Sequence, residues 1–178
     1  FKTGAMSGLT EVLFIERCLN LLKPGGRMGI VLPEGVLNNT NLQKIRDFVE
    51  SKAKIMLVVS IPQDVFIASG ATVKPSLLFF RKFTEEEATL YATITDDARA
   101  EAVAPYLSEL EDIDLKLATR GKDAVSKEDK KRLKIRRKDI ETIIETETKK
   151  LVKERFDYQI PIAEVQKAGI STTGAPIE

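Results

Sequence analysis

Thr10-Glu-Val-Leu-Phe-Ile-Glu-Arg-Cys-Leu-Asn-Leu-Leu-Lys-Pro-Gly-Gly-Arg-Met-Gly-Ile-Val-Leu-Pro-Glu-Gly35 joins a helix-period segment to a strand-like one through an abrupt stop. Val12, Ile15, Leu19 and Leu22 recur at steps of three and four residues, which marks one face of a helix. Thr10 is placed to cap that helix, with Glu11 in the first turn and Lys23 in the last, each favourable to the helix dipole. Pro24-Gly25-Gly26 then forbids continuation. Arg27 to Leu32 reads as a short strand buried on both faces, the signature of a parallel sheet. Pro33-Glu34-Gly35 ends it, at the place where open α/β sheets put their ligands.

Working outward, Asn38, Asn39 and Thr40 offer caps for a second helix, with Leu42, Ile45, Phe48 and Val49 on its inner face. Lys54 to Ile61 is a second β-branched strand. A loop from Pro62 to Pro75, carrying Phe66, Gly70 and Lys74, precedes a third strand, Ser76 to Phe80. The helix–strand alternation implies parallel strands with right-handed crossovers. Ala88 to Thr95 alternates weakly and reads as a short edge strand. From Asp96 the composition turns charged and helical: Ala98 to Thr119 is one or two helices broken near Pro105. Ser126 is the N-cap of a long helix from Lys127 to Arg155, with Ile140, Ile143, Leu151 and Val152 as its apolar positions. Ile160 to Val165 is a final strand; Phe1 to Gly8 and Gly169 to Glu178 show no pattern. These shifts divide the chain into an α/β part (1–95), a charged helical segment (96–156) and a short strand with a tail (157–178).

Composition narrows the chemistry. Of 178 residues, 43% are hydrophobic and 31% charged, the balance of a globular protein. There is no histidine and a single cysteine, Cys18, which excludes a Cys/His dyad, a structural zinc site and an internal disulfide. Cys18 itself reads as a small core hydrophobe. The longest apolar runs are about eight residues, against the roughly 20 that a membrane span needs. No signal-peptide pattern opens the chain. No membrane association and a cytoplasmic, reducing location are therefore expected. A net charge of +1 gives no global attraction to nucleic acid, so any such contact must come from a local patch.

The block Leu13 to Arg27 with Ile30-Val31-Leu32-Pro33-Glu34-Gly35 resembles the modification subunits of type I restriction systems, which are adenine-N6 DNA methyltransferases. Val73-Lys74-Pro75-Ser76-Leu77-Leu78-Phe79-Phe80 and, more weakly, Phe156-Asp157-Tyr158 with Ala163-Glu164-Val165 and Thr173-Gly174 extend the resemblance. It implies the C-terminal half of a Rossmann-like sheet that binds S-adenosylmethionine. Arg27–Leu32, Lys54–Ile61 and Ser76–Phe80 would be its strands five, six and seven, the last antiparallel and inserted between the other two. It also implies DNA, a specificity subunit and a restriction subunit as partners. The family's Gly-rich cofactor loop and its Asn/Asp-Pro-Pro-aromatic motif are not found here, since no Gly-x-Gly and no Pro-Pro occur in the chain. Both are expected upstream of Phe1, so this chain alone is expected to bind no cofactor and to be inactive.

Carried over by resemblance, Phe66 is the aromatic that packs against the extruded base, and Pro33 and Glu34 shape the rim of the base pocket. An extruded base has lost its stacking, and an aromatic side chain restores part of it. Seen without the resemblance, Phe66 is an ordinary core residue. Lys74 and the basic cluster of the long helix, with Lys130, Lys131, Arg132, Arg136 and Arg137 at its centre, are candidates for DNA phosphates. The plainer reading of the cluster is a solvated helix face paired with Glu128, Asp129, Asp139 and Glu141, because no aromatic residues interleave it for stacking. Two other functions fit the residues: a non-catalytic module binding a partner or DNA, and a fragment of a small-molecule methyltransferase. A half-sheet of this kind is also expected to self-associate through its open edge and face.

Overall fold

The computed structural model describes residues 9–121, 125–167, 169, 171 and 173–177; the unpatterned stretch 1–8 lies outside them. The chain forms two compact units, Phe1–Ala88 with Tyr158–Glu178 and Thr89–Asp157.

In the first unit the order is α1 (Thr10–Leu21), β1 (Arg27–Pro33), α2 (Glu34–Asn38), a 3-10 turn (Thr40–Leu42), α3 (Gln43–Glu50), β2 (Ala53–Ser60), a 3-10 segment (Gln63–Ser69) and β3 (Pro75–Lys82), with β4 (Ile162–Glu164) returning from the far end of the chain. The sheet order is β1-β3-β2-β4. β3 runs antiparallel to both β1 and β2, so those two are parallel to one another; β4 lies parallel to β2. The last of the three main strands is thus inserted between the other two, the arrangement that the resemblance implied.

One face of the sheet is sealed. Val12, Ile15 and Leu19 of α1 and Ile45 and Val49 of α3 pack with Leu32, Ile55, Leu78 and Phe80. The other face departs from expectation. β1 is not buried on both sides: Leu32 is buried, whereas Arg27, Gly29 and Val31 are exposed, because both packed helices lie on one face. A cavity of about 190 Å³ under α3, lined by Ile15, Leu32, Val36, Ile45, Val49 and Leu78, belongs to this apolar core.

Several ends are set by contacts that pattern alone does not show. Leu9, not Thr10, occupies the cap position of α1, and no side chain caps it. At the other end Lys82 Nζ donates to the carbonyls of Leu19 (2.9 Å) and Leu22 (2.8 Å), so a lysine from β3, rather than Lys23, satisfies the helix C-terminus. The expected second helix is two pieces. Asn39 Oδ1 accepts from the Asn41 amide to start the 3-10 turn, after the short α2 has already formed. Tyr158 anchors the returning strand: its hydroxyl accepts from the Ile55 amide (3.2 Å) beside the bulge in β2, and its ring lies under Lys54 Nζ at 5.9 Å.

The stretch 88–95 is a helix, not an edge strand. It lies within α4 (Glu85–Val103). Thr84 and Glu87 form a capping box: Thr84 Oγ1 accepts from the Glu87 amide (3.2 Å) and Glu87 Oε2 accepts from the Thr84 amide (3.1 Å). Glutamates and Ala88, strong helix formers, follow at once.

In the second unit α4 gives way at a 3-10 turn (Ala104–Tyr106) to α5 (Leu107–Ala118), the break expected near Pro105. α6 (Lys127–Arg155) begins where Ser126 Oγ accepts from the Asp129 amide. Its buried positions are Ile140, Ile144, Thr148 and Val152, a strict four-residue period. The expected Ile143 is exposed and Leu151 only partly covered, because the four-residue row faces inward and these two sit beside it. Ile140 and Ile144 close a small core with Ala102 and Ile113. Among the described residues no helix is long and apolar enough to cross a membrane.

Candidate functional site

Three strand ends and one strand start share one edge of the sheet. β1 ends at Pro33, β2 at Ser60 and β4 at Glu164, while β3 begins there at Pro75. Pro33 pairs with Pro75, and Ser76 with both Leu32 and Ser60. The link between β2 and β3, residues 61–74, therefore overhangs the carboxyl ends of the parallel strands. Ligands of open α/β sheets bind at that edge.

Local hydrogen bonds give this link its shape. Gln63 Nε2 donates to the Thr72 carbonyl at 2.5 Å, and the Ala71 amide to the Phe66 carbonyl at 3.0 Å, closing residues 63–72 into a loop. Gly70, at φ +81°, ends the 3-10 segment in a left-handed conformation that a side chain would strain. Phe66 sits on that segment half-buried, outside the packed core of the unit. A large aromatic held on a loop rather than in the core is available to a ligand at the sheet edge.

Glu34 and Lys74 meet across the same edge. The Glu34 amide donates to the Lys74 carbonyl (3.0 Å), and Lys74 Nζ lies 3.3 Å from Glu34 Oε1. The ion pair is substantially exposed and contributes little to stability. It does tie the start of α2 to the end of the 61–74 loop. Arg46 braces α2 from the other side: Nη1 donates to the carbonyls of Val36 (3.1 Å) and Asn39 (2.8 Å), and Nη2 to Gln43 Oε1 (2.6 Å). Glu34 is thus tied to Lys74, and the helix it opens is braced by Arg46, neither of which sequence pattern links to that rim. A long-range ion pair leaves no periodic trace, and an arginine bonded to backbone carbonyls resembles any exposed helix cation.

The basic candidates of the second unit fall into two groups. Arg136 makes a two-point bond to Glu109 (2.7 and 3.0 Å), and Arg137 pairs with Asp114 (2.8 Å) and with Glu141. Glu109 holds the Arg136 guanidinium above its ordinary pKa, and Asp114 does the same for Arg137. Both arginines clamp α5 to α6. Lys130, Lys131 and Arg132 project from α6 with no ion pair to a described residue.

The residues present do not fit S-adenosylmethionine. β1 is followed by Glu34-Gly35-Val36 and β2 by Ile61-Pro62-Gln63, neither the glycine-rich turn opening a long helix that the family uses for this cofactor.

Comparison with known proteins gives concordant matches. The family model described as N-6 DNA Methylase matches residues 3–173. The EcoKI methylase subunit of a type I restriction enzyme from Escherichia coli K12 is 31% identical over 91 residues, 49% of this chain and 16% of that subunit. The StySJI methylase subunit from Salmonella typhimurium gives the same figures, and the Defense against restriction protein B of Escherichia phage P1 is 28% identical over 75 residues, 42% of this chain and 3% of that protein. Among solved structures, the EcoKI M protein aligns at 27% identity and a TM-score of 0.40, over 45% of this chain and 16% of that one. The matched part of the chain spans about one sixth of the length of those methylase subunits. With the family model covering nearly all of its residues, this chain belongs to the N-6 DNA methylase family.

Proposed function

We propose that this chain forms the outer wall of the base pocket in a DNA methyltransferase that modifies adenine at N6 as part of a type I restriction–modification assembly. The observation that carries this reading is the position of Phe66. It is held outside the core, on a loop closed by Gln63 and Gly70, over the edge where β1 and β2 end. An adenine turned out of a duplex loses its stacking partners, and an aromatic side chain at the pocket wall compensates by about 1–3 kcal/mol. Pro33 and Glu34 form the facing rim, with Glu34 paired to Lys74 and the short helix behind it braced by Arg46. S-adenosylmethionine would be the methyl donor of the whole enzyme, held by residues outside this chain. DNA, a specificity subunit and a restriction subunit would be its partners.

The test is methyl transfer to a duplex by the full-length enzyme. Phe66→Ala lowers kcat/KM for DNA by roughly 5- to 150-fold, the equivalent of one lost stacking contact, and leaves donor affinity unchanged. Phe66→Trp retains most of the activity. A 2-aminopurine placed at the target adenine brightens on extrusion, and that signal falls in Phe66→Ala. Unchanged kcat/KM and fluorescence in Phe66→Ala would overturn the assignment.

A further inference from the structure

We propose that one face of α6 is a contact surface for the phosphate backbone of a nucleic-acid duplex, made by Lys127, Lys130, Lys131, Lys134 and Lys138. These five lysines line a shallow depression around Ile135. At 3.6 residues per turn, Lys127, Lys131, Lys134 and Lys138 fall within an arc of about 60°, and Lys130 flanks them. The stripe runs about 16 Å along the helix axis, at 1.5 Å per residue. It is turned roughly 130° from the inward row that begins at Ile140 and Ile144. Arg132, also without an ion pair among the described residues, leaves the helix on another side.

Three features separate this stripe from an ordinary solvated face. First, its lysines have no ion pair among the described residues, although α6 pairs Arg136 and Arg137 with three different carboxylates and Arg155 with Glu101. The helix thus neutralises the cations that pack it against α5 and leaves the stripe bare. Second, the stripe costs the helix stability. Lys127–Lys131, Lys130–Lys134 and Lys134–Lys138 are like charges at four-residue spacing, which repel. Lys127 and Lys130 also sit in the first turn, where positive charge opposes the helix dipole. Third, the depression they surround contains no acidic side chain, so an anion with several charges in a row meets only ammonium groups. A phosphate backbone offers regularly spaced single charges and needs no aromatic partner.

The assignment of the polyanion to a duplex rests on the reading of the substrate as DNA, but its test is separate from that of Phe66. The 178-residue chain is titrated with a fluorescein-labelled duplex of arbitrary sequence, without methyl donor, between 50 and 200 mM salt. Five phosphate contacts predict a slope of log K against log salt of about −4.5, an affinity loss of several hundred-fold across that range. Replacing Lys130, Lys131, Lys134 and Lys138 with glutamine brings the slope to about −1; replacing them with arginine preserves it. Far-UV circular dichroism verifies that α6 survives in both. A slope unchanged by the glutamine variant, an absence of duplex binding at 50 mM salt, or equally tight binding to phosphatidylserine vesicles or to an acidic peptide overturns the proposal. If the stripe fails while Phe66→Ala still lowers the base-extrusion signal, the pocket reading stands alone. If the stripe binds and Phe66→Ala has no effect, the backbone surface stands without the pocket.

Discussion

Gly29 lies opposite Phe79 on the neighbouring strand, and a methyl group added to it would sit 2.7 Å from the Phe79 ring. The missing side chain on β1 is the space that the ring occupies on the open face of the sheet. Gly29→Ala is therefore expected to push Phe79 aside and to destabilise the first unit by about 1–2 kcal/mol. Urea unfolding measures this; the companion Phe79→Ala should make a second replacement at Gly29 nearly neutral, since the clash is gone. A full additional loss in the double variant would show that the glycine serves the backbone and not the ring. The run Arg27-Met-Gly-Ile-Val-Leu showed that a strand was present, but not what its glycine was for. That depended on which strand came to lie beside it.

At the scale of elements, the start of α4 carries the clearest electrostatic signature. Arg81 Nη2 (2.7 Å) and Lys54 Nζ (2.9 Å) both reach Glu87 Oε1, while the other oxygen caps the helix. The Arg81 hydrogen bond leads in holding the Glu87 carboxyl down at about 2, with Lys54 and the Thr84 amide adding to it and partial burial opposing. A depressed carboxyl contributes stability that is complete above its unfolded pKa of 4.5 and is lost as pH falls toward about 2. For a carboxylate that is one-fifth exposed, the contribution is about 2–3 kcal/mol at neutral pH. Glu87→Gln should lower stability by that amount at pH 6 and leave the variant nearly level with the parent at pH 2. Parallel unfolding curves at pH 6, 4 and 2 check it; a constant gap between the two proteins would remove the carboxylate from the account. The signal Thr84-Glu-Glu-Glu87 was present in the sequence, being the spacing of a capping box. The weak alternation of 88–95 obscured it, because alternation is a prior on local conformation and a satisfied helix start outweighs it.

For the whole molecule, the open sheet face displays Val31 (51% exposed), Met56 (42%) and Phe79 (36%), and β1 has an unpaired edge. Exposed apolar area beside a free edge drives association. The isolated chain is expected to form dimers or larger species at micromolar concentration, and light scattering coupled to gel filtration reads this directly. A monomer at all concentrations would mean that the face is too small to act as an interface. Val31→Lys, which places a charge on that face without touching the buried core, should shift the population toward monomer.

The sequence by itself determined the order α1, β1, β2, β3 and the N-cap and both ends of α6, whereas its helix–strand alternation implied parallel strands throughout and only the family resemblance gave β3 as antiparallel and inserted. Those elements and ends depend on periodicity and stop signals within about 30 residues, which chain-local physics writes directly into the sequence. Only the tertiary structure decided which basic residues are free. Arg136 and Arg137 resemble their lysine neighbours in sequence, yet Glu109 and Asp114 of α5 consume them and leave the stripe on α6 bare. It also decided that Lys82 caps α1, that Tyr158 fastens β4 beside β2, and that Glu34, Lys74 and Arg46 brace one rim. Each of those contacts joins groups whose meeting depends on strand order and register, and a side chain carries no mark of its partner until the fold brings the two together.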